Sequence, residues 1–204
     1  MLDPERFLPD LVSRETSEKL DRFAALILEE NERQNLISRS SAADVMCRHI
    51  IDSAQLIRFG ERQANWLDIG SGPGLPGLVL AILGVRKITL VEPRRLRTDF
   101  LRRCVQALEM SNVEIVTGKV EGIHGQFDVI TARAVASVER LLSLSHRLLA
   151  PGGQWVLPKG RTAAKELEEA QAAWQGDFRL EPSLTDPDAR ILVASGVRRK
   201  AGRG

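Results

Sequence analysis

Tyrosine is missing from this 204-residue sequence, and cysteine occurs only twice, as Cys47 and Cys104. Without tyrosine, the Tyr-Lys general acid of short-chain dehydrogenases is excluded. The two cysteines form no CxxC pair and have no histidine partner at metal-ligand spacing, so they suit free thiols in a reducing compartment, and no metal is expected. Long apolar runs are absent too. No stretch approaches eighteen apolar residues, and residues 1–30 hold no apolar run of signal length behind a basic start. A cytoplasmic chain that meets no membrane is therefore expected. Neither charge dominates: 29 basic residues face 27 acidic ones, for a net charge of +2. Such a balance hints at an anionic partner without establishing one.

What is present is apolar pattern. At 43% hydrophobic residues, the chain can bury one substantial core. Leu20, Phe23, Ala24, Ile27 and Leu28 recur at helical spacing within 16–34, with Thr16 and Ser17 as N-cap candidates. A second helix is predicted from Ser40 or Ser41 to Phe59, with Met46, Ile50, Ala54 and Ile57 as its seam and Gly60 as its stop. From Trp66 the pattern changes to short β-rich runs separated by helical segments, the mark of repeated βαβ units and a parallel sheet. Strands are predicted near 65–69, 87–92, 113–117, 127–132 and 154–158, and helices near 76–83, 95–109, 137–149 and 162–175. Phe178–Leu184 and Arg190–Val197 read as a closing hairpin, making seven strands. The expected organisation is a single domain, with 1–60 as a helical extension and 61–204 as the core. The basic stretch Arg198–Gly204 is expected to be mobile.

The most informative segment is WLDIGSGPGLPGLVLAI, residues 66–82, in which four glycines and two prolines lie between apolar runs. Gly72, Gly74 and Gly77 match GxGxxG literally, but the match alone is weak. Pro73 and Pro76 remove two N–H donors from the turn, and Asp68 places a carboxylate where a pyrophosphate would be repelled. Pro76 also suits the first position of a helix. A nucleoside cofactor with a positive centre and no phosphates, S-adenosylmethionine, fits better. Asp68 through Gly74 then reads as the acidic-x-Gly-x-Gly-x-Gly loop of class I methyltransferases. Glu92, ending the next strand about twenty residues on, can accept from both ribose hydroxyls.

The acceptor chemistry is narrowed by elimination. Neither cysteine stands after the fourth strand, where pyrimidine C5 transfer places its nucleophile. Both read as small apolar side chains. The amine-methylating Asn/Asp-Pro-Pro-aromatic loop is replaced by Thr131-Ala132-Arg133-Ala134. An atom with an available lone pair, such as a purine N7, needs no general base, and positioning can supply most of the rate. No catalytic residue is therefore assigned.

Several segments together make a more specific pattern: Asn35–Ser38, Arg48–Ser53, Leu67–Leu80, Leu90–Glu92, Phe100-Leu101, Phe127–Ala134 and Pro158–Gly160. With its HxxDS, DIGSGPGLPG and TARA motifs, the chain resembles the RsmG (GidB) family of small-subunit rRNA guanine-N7 methyltransferases. The resemblance implies an α/β, Rossmann-like class I methyltransferase fold with a seven-stranded, mostly parallel sheet. It implies methyl transfer from S-adenosylmethionine, leaving S-adenosylhomocysteine, to one guanine N7 in a decoding-region loop of 16S rRNA. It also implies cofactor contacts by Gly70, Leu75, Val120, Glu121 and Arg133, beside Gly72 and Glu92 from the loop reading. The partner is then 16S rRNA or the small ribosomal subunit, with a monomer as the default state. Small-molecule N- or O-methylation and a non-catalytic, cofactor-binding RNA chaperone remain as alternatives.

Other residues have two readings. Arg94, Arg95, Arg97, Arg102 and Arg103 form either a solvated helix face or phosphate contacts. Lys159, at the end of the fifth strand, is a substrate-contact candidate beside Arg94 and Arg95. His49, Asp52 and Ser53 can share a helix face, where a structural bond outweighs direct substrate contact. Trp66 and Trp155 are expected in the core, and Trp174 on the helix predicted near 162–175, partly exposed.

Overall fold

The computed structural model describes residues 12–201. Helix α1 (Arg14–Asn31) starts at Ser13, whose hydroxyl accepts from the Thr16 N–H, so the cap lies ahead of the predicted Thr16 and Ser17. Leu20, Phe23, Ala24 and Ile27 form its buried face. The Asn31 carboxamide then accepts from the Leu36 and Ile37 N–H groups and closes the turn. The predicted second helix is broken into α2 (Arg39–Ala42), a π-helical turn (Met46–Ile51), α3 (Asp52–Ala54) and a 3₁₀ turn (Gln55–Arg58). Its apolar seam still faces inward, with Ile50 and Ala54 wholly buried. From this segment His49 and Asp52 reach Arg133.

Seven strands follow: β1 (Asn65–Ile69), β2 (Lys87–Glu92), β3 (Val113–Thr117), β4 (Phe127–Thr131), β5 (Leu149–Lys159), β6 (Trp174–Pro182) and β7 (Arg190–Arg199). Between them run α4 (Gly77–Ile82), α5 (Arg95–Ala107), α6 (Val138–Ser145) and α7 (Ala163–Gln171). The strand order is β3-β2-β1-β4-β5-β7-β6, with β7 antiparallel to both β5 and β6 and every other pairing parallel. This is the expected α/β sheet. Alternating strand residues feed two cores. Trp66, Leu90, Val129 and Val156 pack with α1, α4 and α5, whereas Leu67, Ile130, Trp155 and Leu157 pack under α6 and α7. Burial on both faces explains the nearly continuous apolar strands in the sequence.

Four expectations need correction. Strand β5 begins at Leu149, ahead of the start predicted near 154, and carries Pro151-Gly152-Gly153 within it as an irregularity in the pairing with β4. Helix α7 ends at Gln171, and Trp174 opens β6 opposite Arg199, buried beside the His146 ring. The partner strand offers Trp174 burial that another helical turn would not. Arg198 and Arg199 are paired residues of β7, and only 202–204 of the expected mobile stretch lie outside the described residues. Pro76 caps α4 and does not form its first turn.

Because α1 shares a core with the sheet, Phe23→Ala is expected to cost about 3–5 kcal/mol and to lower one common unfolding transition. Separate transitions by helical and tryptophan probes would show that the helical extension melts alone.

Candidate cofactor and substrate site

Strand order reverses between β1 and β4, and the loops leaving their carboxyl ends diverge to frame a crevice. After β1, the backbone passes through positive φ at Gly70 (68°), Gly72 (52°) and Gly74 (94°). The Gly70 and Ser71 N–H groups both donate to the Val91 carbonyl, at 2.7 and 3.1 Å, which pins the loop to β2. A Cβ at Gly70 would lie 2.5 Å from a Val135 methyl, whereas one at Gly72 would meet nothing closer than 3.7 Å. The open side of the loop is thus at Gly72.

Asp68 lies beneath this loop, fully buried. Its Oδ2 accepts from the Gly77 N–H at 3.2 Å, and Oδ1 has no partner among the described residues. Burial pushes its carboxyl up to about 7 against hydrogen bonds that favour the ion. Asp68 therefore fastens β1 to the start of α4. Glu92, also buried, accepts from the Gly72 N–H and the Arg94 N–H, each at 3.0 Å, with the Arg97 guanidinium 3.9 Å away. Val120 is buried in the 3₁₀ turn after β3; its carbonyl and that of Glu121 accept from Arg147 at 3.1 and 2.9 Å. Leu75 is buried at the base of the loop. An open glycine turn beside an aligned carboxylate, with an apolar shelf at Val120, fits a nucleoside carrying a positive centre.

Beyond the loop, a cavity of about 540 Å³ opens between the ends of β4 and β5 and the β6–β7 turn. Arg133 and Lys159 both line it, with Arg48 and Arg190. The Arg133 guanidinium is held by the Arg48 carbonyl (3.4 Å), Asp52 Oδ2 (3.3 Å) and His49 Nδ1 (2.9 Å). The Lys159 ammonium donates to the Ala136 carbonyl (2.7 Å) and to Glu166 (3.0 Å), whose carboxyl the contact helps hold below the usual range. His49 is pushed down to about 4 by burial and by Arg133 and Arg48, so its ring is neutral. Ser53 is buried and its hydroxyl meets no partner among the described residues, so it does not join His49 and Asp52.

Arg94 and Arg95 are not part of this cavity; they flank a shallow groove with Gln34, Asn35, Leu96 and Arg97. Arg102 and Arg103 are drawn to Asp99 and Glu30. Sequence reasoning missed Arg190, which the register of β7 against β5 brings opposite Lys159, and Thr185, which lines the cavity from the β6–β7 turn; a hairpin turn carries no local mark of such a role.

A family model described as rRNA small subunit methyltransferase G (GidB) matches residues 16–185. The chain belongs to this family. A relative named ribosomal RNA small subunit methyltransferase G, from Rhizorhabdus wittichii, is 46% identical over 198 residues, covering 95% of this chain and 91% of its own length. Among solved structures, the ribosomal protein L11 methylase of Lactobacillus delbrueckii subsp. bulgaricus superposes with a TM-score of 0.57 at 18% identity, covering 76% of this chain and 79% of that one. An MtNAS variant in complex with S-adenosylmethionine gives 0.58 at 16% identity, covering 87% and 74%. The chain shares its fold with these two structures.

The two shifted buried groups act on stability in opposite directions. Asp68, raised from 3.8 to about 7, keeps a proton that the unfolded chain has lost, so its contribution falls as pH rises through that window. His49, lowered from 6.5 to about 4, binds its proton only in the unfolded chain, so its contribution rises over that narrower range. Asp68→Asn is therefore expected to gain stability relative to the parent as pH rises from about 4 to 7 in urea unfolding. A constant difference would mean that Asp68 is ionised in the folded chain.

Proposed function

We propose that this chain transfers a methyl group from S-adenosylmethionine to N7 of a guanine in a decoding-region loop of 16S rRNA, as a cytoplasmic monomer. One observation carries the choice of acceptor: the cavity beside the glycine loop is basic, yet every carboxylate lining it is engaged. Asp52 is held by Arg133, Gln55 and Thr185, Glu166 by Lys159 and Thr162, and Asp186 by the Asp188 N–H. Such a site suits an acceptor that brings its own lone pair and needs no proton removed. The family match supports the RNA substrate. No helix among the described residues is long and apolar enough to cross a membrane.

S-adenosylmethionine supplies an electrophilic methyl group when bound. Gly70, Gly72 and Leu75 would hold its amino-acid part, Glu92 its ribose hydroxyls, and Val120 with Glu121 the adenine. Val135, against the α-carbon of Gly70, forms a wall shared by the cofactor loop and the cavity. Arg133, which the resemblance assigned to the cofactor, lines the cavity and with Lys159 would face the incoming nucleotide, their charge partly balanced by Asp52 and Glu166. Arg94 and Arg95, exposed on the groove beside Glu92, would take backbone phosphates.

Purified protein incubated with labelled S-adenosylmethionine and small-subunit RNA, or whole subunits, is expected to yield N7-methylguanosine on nucleoside analysis. Its absence with every substrate, while cofactor binding is normal, would overturn this reading. Gly70→Leu is expected to weaken cofactor binding in calorimetry at least about tenfold, since its φ and the Val135 contact both forbid a side chain. Unchanged affinity would remove Gly70 from the site.

A further inference from the structure

The HxxD pair, with His49 on the π-helical turn and Asp52 opening α3, makes contacts that neither cofactor binding nor core packing requires. We propose that His49 and Asp52 are positioning residues that set the Arg133 guanidinium on the cavity wall, and that Asp52 ties the β6–β7 turn to the same setting. The consequence for catalysis rests on the function proposed above; the contacts themselves do not.

Arg133 lies two residues beyond β4, and the next residue, Ala134, has φ +55°, a left-handed conformation unusual for alanine. Such a conformation persists when its surroundings over-determine it. Here they do so from both sides: Arg133 is anchored to the helical segment, and Val135 is pressed against Gly70. The anchors of Arg133 come from residues 48, 49 and 52, all on one segment.

A guanidinium only donates, so His49 Nδ1 must accept from it, and the ring proton resides on Nε2. That Nε2 is buried and meets no partner among the described residues. A leucine would fill similar space without the cost of an unpaired buried donor. The value of histidine here lies in the Nδ1 contact.

Asp52 divides its oxygens between the two walls. Oδ2 accepts from Arg133, whereas Oδ1 accepts from Gln55 at 2.9 Å and from the Thr185 hydroxyl at 2.8 Å. Gln55 repeats the link, donating to Ser183 at 3.1 Å and accepting from the Leu184 N–H at 2.8 Å. The turn so held leads to Arg190 on the far side of the cavity. These three contacts of Arg133 use three of the five guanidinium N–H bonds, leaving Nε–H and one more for an acceptor in the cavity.

The test compares substitutions that differ in the acceptor. His49→Asn places Oδ1 where Nδ1 stood, and His49→Leu removes the acceptor at similar size. In single-turnover methyl transfer to 16S rRNA at saturating cofactor, His49→Leu is expected to slow the reaction by roughly 10- to 100-fold. His49→Asn should recover most of that rate, and Thr185→Val should weaken RNA affinity more than the rate. Cofactor affinity by calorimetry should stay within about twofold in all three. Equal losses in His49→Asn and His49→Leu, or a loss that follows cofactor affinity, would overturn the proposal.

A second measurement needs no RNA and separates failure of this proposal from failure of the functional reading. In ¹⁵N NMR of the histidine rings, His49 should be the Nε2–H tautomer and should not titrate between about pH 5.5 and 8. The charged groups acting on it are Arg48 and Asp44 from its own segment and Arg133 from the β4 loop. Arg133→Met should move its Nδ1 resonance. An Nδ1–H tautomer, or a resonance indifferent to Arg133→Met, would refute the contact whatever the substrate.

Discussion

Each functional side chain owes its place to β1 pairing in parallel with β2 on one edge and β4 on the other. Parallel pairing aligns the carboxyl ends of three strands, and the reversal of order at β1 sends the neighbouring connections to opposite faces. Backbone bonds from Gly70 and Ser71 to Val91 then carry the loop across the strand ends to meet Glu92. A sheet with β1 at its edge would have no crevice there.

Charge is managed locally throughout the crevice. Asp68 sits against the peptide N–H that starts α4 and is held near its own protonation point by burial. His49 stays neutral so that it can accept from a cation, and Lys159 and Arg133 each face a carboxylate. These pairings fix the angles of long, flexible side chains before any partner arrives, which lowers the ordering cost of binding. Arg95, exposed at the start of α5, is less constrained and reaches Asp99 only at 3.9 Å.

Strands β1, β2 and β4 were legible because both faces are largely buried, so local apolar runs were enough to find them within a residue or so; the edge strand β3 was found from its β-branched residues Val113, Ile115, Val116 and Thr117. The glycine loop was legible for a different reason: positive φ at three positions leaves few residue types possible, and glycine stands at each. Legibility failed where tertiary contacts override local preference. Pro151-Gly152-Gly153 has turn chemistry but is held in β5 by its neighbours, and Trp174 follows a helical pattern yet finds its burial across the sheet from Arg199. The broken helix over 46–58 has apolar residues at regular spacing, and nothing local announces that His49 and Asp52 must reach a loop more than eighty residues away. Lys159 and Arg133 were identifiable as residues of the site, but their immediate partners were not.

The position of β7 between β5 and β6 has a consequence for the order in which the protein is made. During synthesis β6 emerges before the strand that joins it to the sheet, so both β6 and the outer edge of β5 wait unpaired until residues 190–199 arrive. The glycine loop, Glu92 and the β4 corner depend only on earlier strands. Thr185 and Arg190 reach the cavity last, so a nascent chain can assemble the nucleoside cradle before it has a complete substrate wall.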